Sequence, residues 1–217
     1  MMKVLALGIA LGIAAVPAAA QVITPVGVTA TSTLNTGFYS PSNLINSSGL
    51  SGALHDSSFS AMWASDLGVN QAQLTFDLGG TFSLGGASIW NYNFGNPAEF
   101  QSTILRGVQD FRILTSMDGL SFSEVFAGTL APGTGQPLGG QNFTFAGDAR
   151  FVQIDILNNY GLGTYAERDW NSGLSEVRFF GTSAVPEPGT WAMMLLGFGA
   201  VGFGMRRRQT MASPQVA

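Results

Sequence analysis

The segment Leu74-Thr75-Phe76-Asp77-Leu78-Gly79-Gly80 decides the fold of this chain. Its large apolar side chains alternate with polar ones, which is the period of a β-strand that buries one face. The two glycines that follow offer a place for the chain to turn. The segment therefore predicts one strand of an antiparallel sheet, ended by the glycine pair.

The same alternation recurs along the middle of the chain. Further strands are predicted at residues 87–92, 108–115, 122–126, 143–145, 152–156 and 177–179. Asp118-Gly119 follows the second of these strands and is a strong hairpin signal. Short strands at this spacing, separated by polar turns, predict an all-β fold, an antiparallel β-sandwich.

Three long connections interrupt this regular spacing, at residues 35–70, 93–107 and 158–173. Long loops on a rigid sandwich are where binding and catalytic residues are most often found. We therefore expect the functional residues of this chain to lie in these loops.

The composition fits one acidic, exported domain. The chain has 217 residues with 29 glycines, no cysteine and only 10% charged residues. Cysteine chemistry and thiolate metal sites are therefore excluded. Residues 21–181 hold five arginines against twelve acids, a net charge of −7. A domain of this charge is a poor partner for nucleic acid, which requires clustered basic residues, whereas calcium or a neutral sugar suits it.

The first 20 residues have the pattern of a secretory signal peptide. Lys3 supplies a positive start, residues 4–16 are apolar and uncharged, and residues 18–20 are three small alanines. This order of parts is typical of a segment that is cleaved during export. We expect cleavage before Gln21.

The tail, residues 182–217, carries a second sorting pattern. The motif Pro186-Glu187-Pro188 precedes an apolar run of 15 residues, 191–205, and then Arg206, Arg207 and Arg208. A helix of that length covers about 22 Å, against about 30 Å for the hydrocarbon core of a bilayer. We expect a short transmembrane helix whose arginines stay in the cytoplasm.

This tail resembles the PEP-CTERM sorting signal of Gram-negative bacteria. The resemblance implies that an exosortase, a transpeptidase-like membrane enzyme, recognises the motif and removes the tail. It also implies a precursor anchored in the inner membrane, then delivery to the cell surface or the extracellular matrix. Hosts of such proteins typically make exopolysaccharide and biofilm.

The domain itself resembles a discoidin-type domain, also called coagulation-factor C-type or galactose-binding-like. The segments that carry the resemblance are 42–46 (SNLIN), 62–63 (MW), 74–79 (LTFDLG), 89–93 (IWNYN), 106–111 (RGVQDF), 115–119 (TSMDG) and 174–179 (LSEVRF). The resemblance implies an eight-stranded jelly roll that binds glycans or other surface ligands through loops at one end, usually without catalysis.

The discoidin resemblance also implies a structural calcium ion between the early loop and the last strand. The matching positions are Asn43, Asn46, Ser48, Ser51 and Glu176. Calcium takes six to eight oxygen ligands, many of them backbone carbonyls. Glu176 is the best candidate ligand, whereas Asn46 stands where the family usually has an acid. The alternative is that Asn46 and the serines only form turn hydrogen bonds.

Two loops carry the residue types that recognise sugars. A sugar site needs an aromatic ring for the apolar face of a pyranose, with amides, carboxylates or arginines for its hydroxyl groups. The candidate ligand-binding residues are Asn91, Tyr92, Asn93, Arg106, Tyr160, Arg168, Trp170 and Asn171. We expect Trp170, Tyr160 and Arg168 to line the site, and Trp63 and Trp90 to belong to the core.

These observations favour an exported, non-catalytic module that binds carbohydrate of an exopolysaccharide matrix. His55 is the only histidine and no Gly-x-Ser-x-Gly segment is present, so no serine triad is indicated. Two alternatives stay open. One is a structural matrix protein, and the other is a polysaccharide hydrolase that uses a pair of the loop acids Glu99, Glu167 and Asp169.

Overall fold

The computed structural model describes residues 20–35, 37–98, 102–161, 171–184 and 188–209. Within them, the chain forms β-strands followed by one C-terminal α-helix, α1 (Pro188–Gln209). The strands are β1 (Gln21–Ile23), β2 (Gly27–Ala30), β3 (Leu50–Ser51), β4 (Leu54–His55), β5 (Trp63–Ala64), β6 (Ala72–Asn91), β7 (Asp110–Ser116), β8 (Ser123–Thr129), β9 (Leu138–Gly139), β10 (Gln141–Ile156) and β11 (Gly173–Ser183). The all-β fold is confirmed, whereas the expected signal peptide lies outside the described residues, apart from residue 20.

The main sheet is antiparallel and runs in the order β1-β11-β6-β10-β7-β8, with β2 paired to β6 and β5 paired to β11. The two longest strands, β6 and β10, take part in both layers of the sandwich. The first half of β6 pairs with β2, and its second half pairs with β11. Its antiparallel partner β10 shifts register between residues 144 and 151, where both strands bend. A small second sheet, β3-β4-β9, packs beside the loops.

The alternating apolar residues meet between the two layers. In the first half of β6, Leu74 and Phe76 have no exposed surface, whereas Gln73, which lies between the buried residues Ala72 and Leu74, is exposed. The Phe76 ring lies 5.3 Å from the ring of Phe179 on β11, in an edge-to-face arrangement. Trp63 and Trp90 are 0% and 5% exposed, which confirms the prediction that both belong to the core.

The hairpin predicted at Asp118-Gly119 is present between β7 and β8. Gly119 has a φ of +74°, which glycine adopts without steric cost. The Asp118 carboxylate accepts hydrogen bonds from the backbone of Ser121 and Leu120, and these bonds lower its pKa to about 2. The turn is therefore fixed by the two residues, Asp118 and Gly119, that predicted it in the sequence.

The predicted end of the strand at Gly79-Gly80 is wrong. The strand continues through the glycines to Asn91 as one bent element. Gly79 has a φ of +76° and donates its backbone N–H to the carboxylate of Asp77. The sheet stays continuous because β10 pairs with β6 on both sides of the glycines, at Asp77 and at Phe82, with a register shift between them.

The two ends of the sandwich differ in structure. The long connections 31–71, 92–109, 130–140 and 157–172 join strand ends at one end, which we call the loop end. Residues 117–122 and the bends of β6 and β10 form the opposite end. Strand β11 starts at the loop end and finishes at Ser183, next to the β6 bend, where Ala184 donates its backbone N–H to Thr81. The tail therefore leaves the sandwich at the end opposite the loops.

The predicted helix of the tail is present as α1, although Pro186 and Glu187 lie outside the described residues, as do the side chains of Pro188, Arg207 and Arg208. The side chain of Arg206 is exposed. In the part of the chain that the structure describes, no helix has the length and mean hydropathy of a membrane span. The predicted helix is thus confirmed, and its transmembrane role stays a prediction.

The close approach of β6 and β10 at their bend predicts a specific glycine requirement. A Cβ at Gly86 would overlap the backbone carbonyl oxygen of Phe143 on β10, so Gly86→Ala forces the backbones apart. We expect a loss of about 1–3 kcal/mol in the free energy of unfolding, measured by urea denaturation. The matched control is Gly27→Ala on β2, where nothing lies within 4 Å of the added Cβ. Equal unfolding midpoints for the two variants would contradict the account of the bend.

Candidate functional site

The loop end is held together by buried asparagine side chains, the first of which is Asn91 at the end of β6. Its Nδ2 donates to the carbonyl oxygens of Val108 and Ala131, each at 2.8 Å. Its Oδ1 accepts from the backbone N–H groups of Tyr92 and Val108, at 2.9 and 2.8 Å. One fully buried amide therefore joins the two ends of the loop after β6 to each other and to the loop 130–140.

Asn93 does the same for the glycine- and proline-rich loop 130–140. Its Nδ2 donates to the carbonyl oxygen of Gln136 at 2.6 Å, and its Oδ1 accepts from the backbone of Thr134 and Gly135, both at 2.9 Å. Nδ2 also lies 3.4 Å from the carbonyl oxygen of Asp56 in the early loop. The side chain is 0% exposed, so these bonds form away from water.

The loop before β11 is fixed by a third set of bonds. Asn159 donates to the carbonyl oxygen of Asn171 at 3.0 Å, and Asn171 donates to that of Ser65 at 3.1 Å. The hydroxyl of Tyr160 donates to the carbonyl oxygen of Leu130 at 2.6 Å. The four long connections are therefore joined to one another through side chains.

These bonds change the role that we assign to four predicted ligand-binding residues. Asn91, Tyr92, Asn93 and Asn171 are all 0% exposed. In this arrangement they position the loops, since they present no surface to a ligand. Of the predicted set, Arg106 and Tyr160 retain partial exposure. Arg168 and Trp170 lie outside the described residues, so their predicted place in the site stays a prediction.

An exposed group of aromatic rings lies at the loop end, and the sequence reasoning missed it. We call it the aromatic patch, and its members are Phe38, Tyr39, Phe59 and Phe94. The Phe59 ring is central, with centroid distances of 6.0 Å to Phe38, 5.9 Å to Tyr39 and 5.4 Å to Phe94. Phe38 is 53% exposed and Phe59 is 38% exposed. The spacing of these four residues in the sequence does not indicate that they meet. The only signal in the sequence is that all four are aromatic and so tend to pack together.

Arg106 lies at the border of this patch. It is the last residue of a short 3-10 helix, Thr103–Arg106. Both Arg106 and Tyr39 interact electrostatically with the buried hydroxyl of Tyr92. Burial raises the pKa of Tyr92 well above its usual value, while the positive charge of Arg106 opposes that shift. A guanidinium group therefore lies near Tyr39, the member of the patch that shares the Tyr92 hydroxyl with it.

Glu176 is the most unusual acid among the described residues. It is 1% exposed at the start of β11, and burial raises its pKa to about 7, although Arg178 and the backbone of Ser47 oppose the shift. Its Oε1 lies 3.4 Å from Nε of Arg178. Its Oε2 is buried and has no hydrogen-bond partner in the described structure, and the same holds for the hydroxyl of Ser48. Two orphaned oxygens thus belong to the predicted calcium set.

The other predicted calcium residues lie around the same loop. The Nδ2 of Asn43 lies 2.9–3.1 Å from the carbonyl oxygens of Phe38, Ser60 and Met62, which share its two hydrogens. Its Oδ1 accepts from Nδ2 of Asn46 at 3.4 Å. Asn46 accepts the backbone N–H of Ser48 in a turn. Ser51 is exposed and lines an open cavity of about 490 Å³. No three His, Cys, Asp or Glu side chains come close enough to hold a metal among the described residues, so any ion here requires amide, hydroxyl and backbone oxygens.

Comparison with known proteins identifies the tail and the fold. Residues 184–208 match the family described as the PEP-CTERM protein-sorting motif. The sorting signal predicted from the sequence is thereby confirmed. No curated protein is similar to the chain at a significant level.

The fold is that of carbohydrate-binding modules of the discoidin type. One similar structure is the CBM32 of AlyQ in complex with 4,5-unsaturated mannuronic acid, with 22% identity, a TM-score of 0.51, and coverage of 74% of this chain and 98% of that one. Another is the family 32 CBM from Clostridium perfringens NanJ in complex with galactose, with 16% identity, a TM-score of 0.51, and coverage of 75% and 99%. The chain spans 34% of a longer AlyQ structure with CBM32 and alginate lyase domains, at 20% identity and a TM-score of 0.51. The predicted galactose-binding-like sandwich is confirmed.

Proposed function

We propose that this protein is an exported, non-catalytic carbohydrate-binding module that an exosortase sorts to the cell surface or extracellular matrix of a Gram-negative bacterium. Its ligand is a glycan of the exopolysaccharide layer. The observation that carries the proposal is the aromatic patch, which is exposed at the loop end on a scaffold of buried hydrogen bonds.

The patch has the chemistry that a sugar ring requires. The C–H groups on one face of a pyranose are apolar, and an aromatic ring contacts them while hydroxyl groups at the ring edge remain free for hydrogen bonds. Phe38 and Phe59 offer such faces, and Arg106, which shares the Tyr92 hydroxyl with Tyr39 of the patch, offers a fork of donors at its border. Since the loops are already tied together, little ordering entropy opposes binding.

The position of the tail supports a display function. The sorting tail follows β11 at the end of the sandwich opposite the loops. A module anchored through this tail before exosortase processing, at the inner membrane, directs its loops away from the attachment point. Many weak sites displayed in this way bind a polymer strongly through multivalency.

Similar structures support a binding role over catalysis, because the two that the chain covers over nearly their whole length are carbohydrate-binding modules. The only histidine, His55, is buried, and its Nδ1 bonds to the carbonyl oxygen of Asp56 at 2.8 Å, which gives it a structural partner. The loop acids of the hydrolase alternative, Glu99, Glu167 and Asp169, lie outside the described residues.

We also propose that a structural calcium ion binds between the early loop and β11, with Glu176 as its carboxylate ligand. The orphaned oxygens of Glu176 and Ser48 support this assignment, since buried acceptors without donors are costly unless a cation compensates them. Asn43, Asn46 and Ser51 are the further candidates. With one carboxylate, and with Arg178 nearby, the site is expected to bind weakly, in the range of extracellular calcium modules.

The carbohydrate proposal predicts that Phe59→Ala weakens glycan binding about threefold to tenfold, because one aromatic contact is worth about 0.5–1.5 kcal/mol. The full chain in detergent is first applied to a glycan array of neutral and acidic oligosaccharides. The affinity for the strongest ligand is then measured by calorimetry for the wild type and the variant.

The matched control for this experiment is Leu120→Ala. Leu120 is 86% exposed, but it lies in the 117–122 turn at the opposite end of the sandwich. Its loss should leave the affinity unchanged. A wild type that binds no glycan would refute the proposed function, and equal affinities for Phe59→Ala and wild type would remove the aromatic patch from the site.

The calcium proposal predicts a higher melting temperature in millimolar calcium than in chelator. At pH 8, where the Glu176 carboxyl is ionised, we expect a rise of about 2–6 °C, which a weak site produces by mass action. Glu176→Gln should abolish the rise, while Glu124→Gln, at an exposed position on β8, should keep it. Coincident wild-type melting curves in calcium and chelator would rule the ion out.

A further inference from the structure

The outer face of one layer of the sandwich carries two rows of side chains, which are polar except for Ala127 and Leu114. This layer consists of β2, the first half of β6, the second half of β10, β7 and β8. The first row runs through Gln73, Asp155, Arg112 and Ala127, with Thr31 beside Gln73. The second row runs through Thr29, Thr75, Gln153, Leu114 and Glu124. We call this surface the sheet face.

These side chains point outward because their neighbours along each strand point into the core. Leu74, Ile154 and Ile113 are at most 1% exposed, and they alternate with Gln73, Asp155 and Arg112. Five strands about 4.8 Å apart give the face a width of about 19 Å. It is therefore broad enough for an extended ligand, and it is separate from the aromatic patch at the tips of the loops.

A charged network fixes the centre of the sheet face. Asp155 is only 8% exposed, although it lies on the outer side of its strand. Its Oδ1 accepts from Nε2 of Gln153 at 2.6 Å, and its Oδ2 accepts from Nη2 of Arg112 at 3.2 Å. Arg112 also lies 3.4 Å from the carboxylate of Glu124 on β8. The side chains are thus held in place before any ligand arrives.

A cleft of about 470 Å³ opens where this network meets the loop end. Its polar walls are formed by Thr31, Gln71, Gln73, Arg112 and Asp155, and Leu157 contributes an apolar edge. The Gln71 side chain donates to the carbonyl oxygen of Leu157 at 3.0 Å and so links two of the cleft's residues. The volume falls within the range of known ligand sites, about 300–1,000 Å³.

We propose that the sheet face is a second carbohydrate-binding surface, which takes a neutral polysaccharide chain lying across the strands. Amide, hydroxyl, carboxylate and guanidinium groups together both donate and accept hydrogen bonds, as pairs of sugar hydroxyls require. The network holds two carboxylates against one guanidinium, so it disfavours an anionic ligand. None of the described residues that line the cleft is aromatic, so this surface recognises its ligand by hydrogen bonds and binds more weakly than the patch.

This inference rests on the proposed function in one respect only, which is that the ligand is a carbohydrate. One polysaccharide chain that binds at the sheet face and also contacts the aromatic patch would be held at two sites, which strengthens its overall binding. The two surfaces use different residues, so each can be removed without the other.

The test is affinity electrophoresis of the full chain through detergent gels that contain galactan, laminarin or alginate. Gln73→Ala removes an exposed amide from the cleft, and Asp155→Asn removes the central charge. We expect each to weaken retardation by the neutral polymers about fivefold, the value of one lost hydrogen bond. Thr144→Ala, at an exposed position of β10 in the other layer, should leave retardation unchanged.

The outcomes separate the two surfaces. If Phe59→Ala weakens retardation but Gln73→Ala and Asp155→Asn do not, the sheet face is not a binding surface, while the proposed function stands. If alginate retards the protein and neither neutral polymer does, the neutral specificity is wrong. If none of the three polymers retards the wild type, this inference is overturned, and the glycan array then decides separately on the proposed function. Asp155→Asn also breaks the ion pair with Arg112, so the melting temperature of this variant is measured as a control for folding. If Asp155→Asn is unfolded, the result for Gln73→Ala alone decides the test.

Discussion

Two buried asparagine side chains, Asn91 and Asn93, hold the loop end of this sandwich together. A primary amide can make four hydrogen bonds, and each of these side chains uses both of its polar atoms on the backbone of neighbouring loops. Loops carry backbone groups that no sheet ladder satisfies, and burying them unpaired would cost several kcal/mol. The asparagines remove that cost, so long connections can pack as a fixed surface on which the aromatic rings stand.

The division of the molecule into two ends follows from the bent strands. Strands β6 and β10 each begin at the loop end in one layer, bend at the opposite end and return to the loop end in the other layer. The long connections therefore all lie at the same end of the sandwich. The last strand runs the other way and delivers the sorting tail to the opposite side. The sorting tail and the proposed binding surface are thus at opposite ends of the sandwich, which is consistent with the proposed display of the loop end.

The sequence predicts the parts of this structure that have a period or a local signature. Alternation at Leu74 to Leu78 reveals a strand, Asp118-Gly119 reveals a hairpin, and the ordered parts of the tail reveal a sorting signal. The aromatic patch could not be predicted, because Phe38 and Phe59 are 21 residues apart in the connection 31–71 and Phe94 lies in the connection 92–109, so their meeting depends on tertiary packing. The role of Asn91 and Asn93 was hidden for a related reason: an asparagine that holds a loop and one that holds a sugar have the same local sequence.

The central claim is that the loop end is formed before any ligand binds, and amide hydrogen exchange of the free protein tests it most directly. The backbone N–H groups of Thr134 and Gly135 lie in an irregular loop, yet both donate to Asn93. We expect the protection of these two amides to approach that of sheet amides such as Ile113, because their acceptor Asn93 is buried. The N–H of Leu120 donates to Asp118 in a hairpin turn that is open to water, so it should exchange much faster. Exchange at Thr134 and Gly135 as fast as at Leu120 would show that the loop end is not preformed and would contradict the account.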